Sequence, residues 1–89
     1  MPRALLPILN AKGLHARASA RFVETVERFE ASARVSREGH SVAGDSIMGL
    51  LMLAAAQGTV IEVETEGPDA DALLDALTRL VAERFGEPA

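Results

Sequence analysis

Val60-Ile61-Glu62-Val63-Glu64-Thr65 alternates from Ile61 onward. Ile61, Val63 and Thr65 fall on one side; Glu62, Glu64 and the following Glu66 fall on the other. That is the period of a strand with one face in a core and one in water. Working outward, Ala31 to Arg37 alternates in the same way, with Ala31, Ala33 and Val35 opposite Ser32, Arg34 and Ser36. Glu38-Gly39 reads as a turn, after which His40 to Ala43 returns as a short strand. Ala4 to Leu9 is short and apolar, and Pro7 suits it to a sheet edge rather than a central position.

Between these strands the period lengthens. From Ala16 to about Glu30, Ser19, Phe22, Val23, Val26 and Phe29 share one helical face, and Arg17, Arg21, Glu24 and Arg28 share the other. Gly44-Asp45-Ser46 opens a second helix, with Asp45 or Ser46 as its N-cap. That helix is expected to reach about Ala55 and to close at Gln57-Gly58. Gly67-Pro68-Asp69 starts a third, with Asp69 and Asp71 in the first turn. Its buried stripe is Ala70, Leu73, Leu74, Leu77, Leu80 and Val81, and Gly86 stops it. The order β-α-β-β-α-β-α predicts a two-layer α+β sandwich, three helices on a sheet whose other face stays wet.

The chain has 89 residues, which predicts a single domain over 1–89. Folding at this size hides only about 60–65 % of the unfolded surface, too little for a deep catalytic cleft. Cysteine is absent, so a disulfide framework and a thiolate metal site are both excluded. Two histidines alone do not make a zinc site, and no metal or cofactor is expected. No apolar run approaches membrane-spanning length and the N-terminus lacks the build of a signal peptide, so a cytoplasmic location is expected. The net charge of −4 is uneven: residues 1–57 hold seven Lys/Arg against five Asp/Glu, and residues 58–89 hold two against eight. The three aromatics are all Phe, and the row Glu62, Glu64, Glu66 repels phosphates, so nucleic acid is not an expected partner.

His15 follows Gly13-Leu14 and immediately precedes the first helix. The backbone N–H groups of Ala16 and Arg17 have no partner inside that helix, and the helix dipole adds partial positive charge. With Arg17 alongside, the place suits an anion, a phosphate above all. The same field favours a neutral imidazole with a free lone pair. The plainer reading is an exposed loop histidine or a mediocre N-cap. Ser, Thr, Asp or Asn would cap better, however, and a residue that breaks a local rule tends to mark function.

Ile47-Met48-Gly49-Leu50-Leu51-Met52-Leu53-Ala54-Ala55-Ala56 carries no polar side chain. A two-layer domain covers one side of a helix. With Ile47, Leu50, Leu51 and Ala54 turned inward, Met48 and Met52 lie outward as an adaptable apolar patch. The alternatives are a deeply sunk helix or a self-association surface. Ser46 is an N-cap, and a phosphate on it would set a dianion beside that patch. His40 reads as a solvated sheet residue.

Two segments resemble the HPr family, the histidine-containing phosphocarriers of the phosphoenolpyruvate-dependent phosphotransferase system. Gly13-Leu14-His15-Ala16-Arg17-Ala18-Ser19-Ala20 is similar to the family's active-site signature. Ser46-Ile47-Met48-Gly49-Leu50-Leu51-Met52-Leu53-Ala54 is similar to its regulatory-serine signature. Their separation and the element order fit along the whole chain. The resemblance implies an open-faced sandwich, a four-stranded antiparallel sheet covered on one side by three helices. It implies that His15 accepts a phosphoryl group, on Nδ1, from phosphorylated enzyme I and donates it to a histidine of an enzyme IIA domain. The residues alone leave the choice between the two ring nitrogens open.

By the same resemblance Arg17 and the N–H groups of Ala16 and Arg17 hold the phosphoryl oxygens, and Ser46 is the site of an HPr kinase/phosphorylase. Ala20, Ile47, Met48, Leu51 and Met52 form the docking face for partners. The chain is then a monomeric phosphoryl carrier rather than an enzyme. Two departures stand out. Ala18 occupies a position where the family commonly has Pro, and Asp45 replaces a common Lys, where its carboxylate opposes a phosphate on Ser46. The opening Gly-Leu-His-Ala-Arg and the strand Ile-Glu-Val-Glu also resemble the nitrogen-related branch, so sugar uptake and regulatory signalling are both open. Two readings from other classes compete: an allosteric protein whose phosphorylation state is read by partners, and a small ligand- or RNA-binding module.

Overall fold

One four-stranded sheet carries the molecule, and every strand in it pairs antiparallel with its neighbours. The computed structural model describes residues 1–89. Its elements are β1 (Arg3–Pro7), α1 (Ala16–Glu27), β2 (Ser32–Arg37), β3 (His40–Ala43), α2 (Ile47–Met52), β4 (Val60–Glu66) and α3 (Ala70–Ala82), followed by a 3-10 turn over Arg84–Gly86. The strand order is β1-β4-β2-β3. Pro7 therefore lies on an edge strand, where its missing N–H is harmless. The expected open-faced sandwich is the fold observed.

The alternation in β4 sets the two sides of the sheet. Ile61, Val63 and Thr65 are buried, joined by Leu6 of β1 and Ala33 and Val35 of β2. On the other side Glu62 and Glu64 are half-buried and Arg34 is exposed. Glu38 and Gly39 both adopt positive φ, 49° and 84°, which closes the β2–β3 hairpin with the twist that flanking strands need. All three helices pack on the buried side. Ser19, Phe22, Val23 and Val26 of α1 face inward with Leu73, Leu77 and Val81 of α3.

The sequence expectation needs correction at α2. The helix ends at Met52, with Leu53 as its C-cap, rather than at about Ala55. Ala54 then enters the left-handed region at φ 51°, which no helix can continue through. Leu50, Leu53 and Ala55 are the buried residues here; Leu51 is half-buried, and Ile47 and Ala54 are exposed. A helix without a polar face offers no pattern from which to set its phase, so the inward side was not readable from composition. Ser46, not Asp45, is the N-cap: its hydroxyl accepts the Gly49 N–H at 3.0 Å. Gly49 itself lets α2 lie close on β3, since a Cβ there would stand 3.0 Å from that of Val42. Asp69 begins α3 without capping it, and its carboxylate instead accepts the Glu30 N–H at 2.8 Å, fastening the start of α3 to the link between α1 and β2.

Candidate functional site

His15 is the N-cap of α1, in extended conformation at φ −80° and ψ −175°. Its carbonyl accepts the Ser19 N–H, and the Ser19 hydroxyl donates back to the Leu14 carbonyl at 3.3 Å. These bonds fix the chain on both sides of the ring. The imidazole makes no capping bond, and the N–H groups of Ala16, Arg17 and Ala18 find no acceptor within the protein. Three free amides thus converge at the helix terminus beside a half-buried ring, an arrangement that receives negative charge readily.

The surroundings of the ring are only partly those the sequence suggests. Arg17 is exposed and pairs with no carboxylate. It borders a recess of about 240 Å³ with Ala11, Lys12, His15, Glu87, Pro88 and Ala89. Lys12 adds a second cation to the same recess. Arg21, on the polar face of α1, is tied down, its guanidinium donating to the Phe85 carbonyl. The larger omission is Glu87, whose carboxylate meets His15 Nε2.

Glu87 Oε1 also accepts a hydrogen bond from Asn10 Nδ2 at 2.9 Å. Burial pushes the Glu87 carboxyl pKa up. The hydrogen bonds from His15 and Asn10 and the positive charges of His15 and Lys12 outweigh that effect and hold it below its ordinary value. A single sequence carries no signal for this contact, since Glu87 lies 72 positions from His15 in a stretch with no period.

A second recess, about 300 Å³, runs from Lys12, Leu14 and His15 to Leu51, Ala54, Ala55 and Ala56. It joins the histidine to α2. Beyond it Met48 and Met52 stand 70 % and 79 % exposed, as the outward phase predicts, and Ile47 is 40 % exposed. Leu51 and, on α1, Ala20 are half-buried at the margin. Ser46 is half-buried and Asp45 exposed at the far end of α2. His40 is exposed on β3, away from any group of metal-ligating side chains.

A four-stranded open-faced sandwich with a histidine on a helix N-terminus, free amides and unpaired cations around it, defines a small α+β protein built to present one ring to an anion. The family profile PTS-HPr, "PTS HPr component phosphorylation site", matches residues 3–83. The phosphocarrier protein HPr of Neisseria meningitidis serogroup A is 48 % identical over 87 residues, 98 % of each chain. Among solved structures, HPr-C-His from Thermoanaerobacter tengcongensis superposes with a TM-score of 0.95 at 36 % identity, covering all of both chains. The phosphocarrier protein HPr from Bacillus anthracis gives 0.86, also at 36 % identity, over 90 % of this chain and 95 % of that one. The chain belongs to the HPr family, the phosphocarriers of the phosphotransferase system. No helix in it is long and apolar enough to cross a membrane.

Proposed function

We propose that this chain, acting as one cytoplasmic domain and as a monomer, accepts a phosphoryl group on His15 from phosphorylated enzyme I and passes it to a histidine of an enzyme IIA domain. The observation that carries the reading is the set of three unpaired N–H groups, Ala16 to Ala18, together with unpaired Arg17 beside a partly exposed imidazole.

The chemistry follows from that arrangement. A ring nitrogen with a free lone pair attacks phosphorus as the bond to the donor histidine breaks in line with it. Negative charge on the phosphoryl oxygens then falls towards the helix terminus and Arg17. A carrier must release what it takes. Amides and one or two solvated cations stabilise the phosphoryl group modestly, unlike a closed site with a metal and several cations. The open recess leaves room for each partner to approach on the axis of the scissile bond.

Partners dock on the apolar side of α2 and the adjoining end of α1: Ala20, Ile47, Met48, Leu51 and Met52. A small apolar contact beside the histidine suits an encounter that must form and dissolve at each transfer. Ser46 is the second acceptor, for an HPr kinase/phosphorylase. Its hydroxyl already faces the amide of Gly49 at the start of α2, so a phosphate there stays near that donor while Asp45 opposes it.

Intact mass after incubation with enzyme I and phosphoenolpyruvate tests the transfer, with His15→Ala as the comparison. One acid-labile phosphoryl group on the wild type and none on the variant is the expected result. No mass gain, with the enzyme I shown active on another carrier, removes the reading and leaves an allosteric binding protein in its place.

A further inference from the structure

We propose that Glu87 is a positioning residue for phosphoryl transfer, holding the proton on His15 Nε2 so that Nδ1 alone is the nucleophile. This rests on His15 being the phosphoryl acceptor. A neutral imidazole has one proton for two nitrogens, and which nitrogen carries it is set by the hydrogen bond the other or the same atom makes. An ionised carboxylate can only accept. Its contact with Nε2 therefore places the N–H there and the lone pair on Nδ1, which makes no hydrogen bond in the protein.

The carboxylate is held for this contact from two sides. Asn10 is fully buried, and its Nδ2 divides between the Gly13 carbonyl at 2.8 Å and Glu87 Oε1 at 2.9 Å. Its Oδ1 has no partner. Turning the amide over would aim that oxygen at a carbonyl and a carboxylate, so the orphaned atom is the consequence of keeping both donors in place. From the other side, Arg84, Phe85 and Gly86 take positive φ in succession, at 58°, 55° and 79°. Two of these lack the freedom of glycine. Buried Phe85 and the bond from Arg21 to its carbonyl hold the turn, and that turn delivers Glu87 to the ring.

The charge balance favours the same assignment. As Nδ1 bonds to phosphorus, the donor keeps the electron pair of the bond that breaks, and the ring becomes a cation that still carries Nε2–H. Glu87 lies against that cation and offsets it. On donation the electron pair of the N–P bond returns to Nδ1, and no proton enters or leaves. The same negative charge repels a phosphoryl group from Nε2, so that nitrogen is both occupied and shielded.

Treating the free protein with phosphoramidate, a small phosphoryl donor, tests this without any partner. Phosphorus and nitrogen NMR of the product identify the modified nitrogen. The wild type is expected to react at Nδ1 alone. Glu87→Ala should react at Nδ1 roughly tenfold more slowly, the weight of one hydrogen bond to a charged group, and should show an Nε2 adduct as well. Glu87→Gln, whose amide oxygen still accepts from Nε2–H, should retain Nδ1 selectivity. Modification of Glu87→Ala at Nδ1 alone and at the wild-type rate overturns the proposal, and so does a wild-type ring whose nitrogen shifts place the proton on Nδ1. That second reading needs no variant to fold. Failure of enzyme I to modify a protein that phosphoramidate modifies at Nδ1 counts against the carrier function alone.

Discussion

The backbone N–H of Leu14 donates to the carbonyl of Ala55 across 2.9 Å, which fastens the residue before His15 to the chain leaving α2. The two stretches that stand out in the sequence, one around the histidine and one around Ser46, are therefore parts of a single surface. Gly13 makes the approach possible. It adopts φ +66°, and a Cβ built on it would stand 2.5 Å from the Ala55 oxygen and 2.9 Å from the Ala56 Cα.

Gly13→Ala should accordingly be among the most damaging single-atom-scale changes in the chain. The left-handed conformation alone costs a non-glycine residue about 1–2 kcal/mol, and the backbone contact adds to that because neither neighbour is a flexible side-chain tip. A fall of more than about 2 kcal/mol in unfolding free energy is expected by denaturant titration. A loss under half that size would mean that the loop relaxes freely and does not hold His15 in place.

Ala54 carries the opposite expectation. It sits at φ 51° with an exposed side chain, so glycine would remove a conformational penalty of about 1–2 kcal/mol while loosening the unfolded chain by about 0.4–1 kcal/mol. Ala54→Gly should therefore raise the unfolding free energy by up to about 1.5 kcal/mol, seen as a higher melting temperature. A lower melting temperature would show that Ala54 is packed or strained in some other way.

The elements that were legible in the sequence are those with a period. Ile61, Val63 and Thr65 against Glu62 and Glu64 fix both faces of β4, and Phe22, Val23 and Val26 fix the inner side of α1; all six inward residues named are buried. His15 and Arg17 were legible because Gly13 and the helix start frame them. Two things were not. From Ile47 to Ala56 no side chain is polar, so nothing in the order of residues distinguishes Leu53, which is buried, from Ile47, which is not. Asn10 and Glu87 meet through the return path of the chain after α3, a tertiary event that leaves no local pattern. The left-handed pair Arg84 and Phe85 is equally silent, because neither residue type advertises positive φ.

The lowered pKa of Glu87 gives the fold an acid sensitivity of known sign. A carboxylate whose pKa is lower in the folded protein than in the unfolded chain stabilises the fold above the unfolded value. That contribution is lost as pH falls through the folded value. Burial opposes this, but the hydrogen bonds from His15 and Asn10 and the charges of His15 and Lys12 prevail. Wild type should thus exceed Glu87→Gln in stability at neutral pH, with the gap closing on acidification below the ordinary carboxylate range. Urea titrations of both proteins across that range measure it. A gap that stays constant would show that the charge of Glu87 has no part in the contact.

Met48 separates docking from folding. Its side chain is 70 % exposed on the side of α2 that continues from the recess beside His15, so replacing it removes little buried area. A surface change of this kind shifts stability by no more than about 0.5 kcal/mol. Met48→Glu should therefore leave the melting temperature nearly unchanged. In an interface a carboxylate on that apolar patch would be desolvated without a partner, which costs several kcal/mol as an order of magnitude. Acceptance of the phosphoryl group from enzyme I should consequently slow by at least about tenfold, as read by quenched-flow mass analysis. Reaction of the same variant with phosphoramidate should proceed at the wild-type rate, since His15 and its surroundings are untouched. Equal slowing with both donors would place the defect in the ring and its supports, whereas unchanged kinetics with enzyme I would remove α2 from the docking surface.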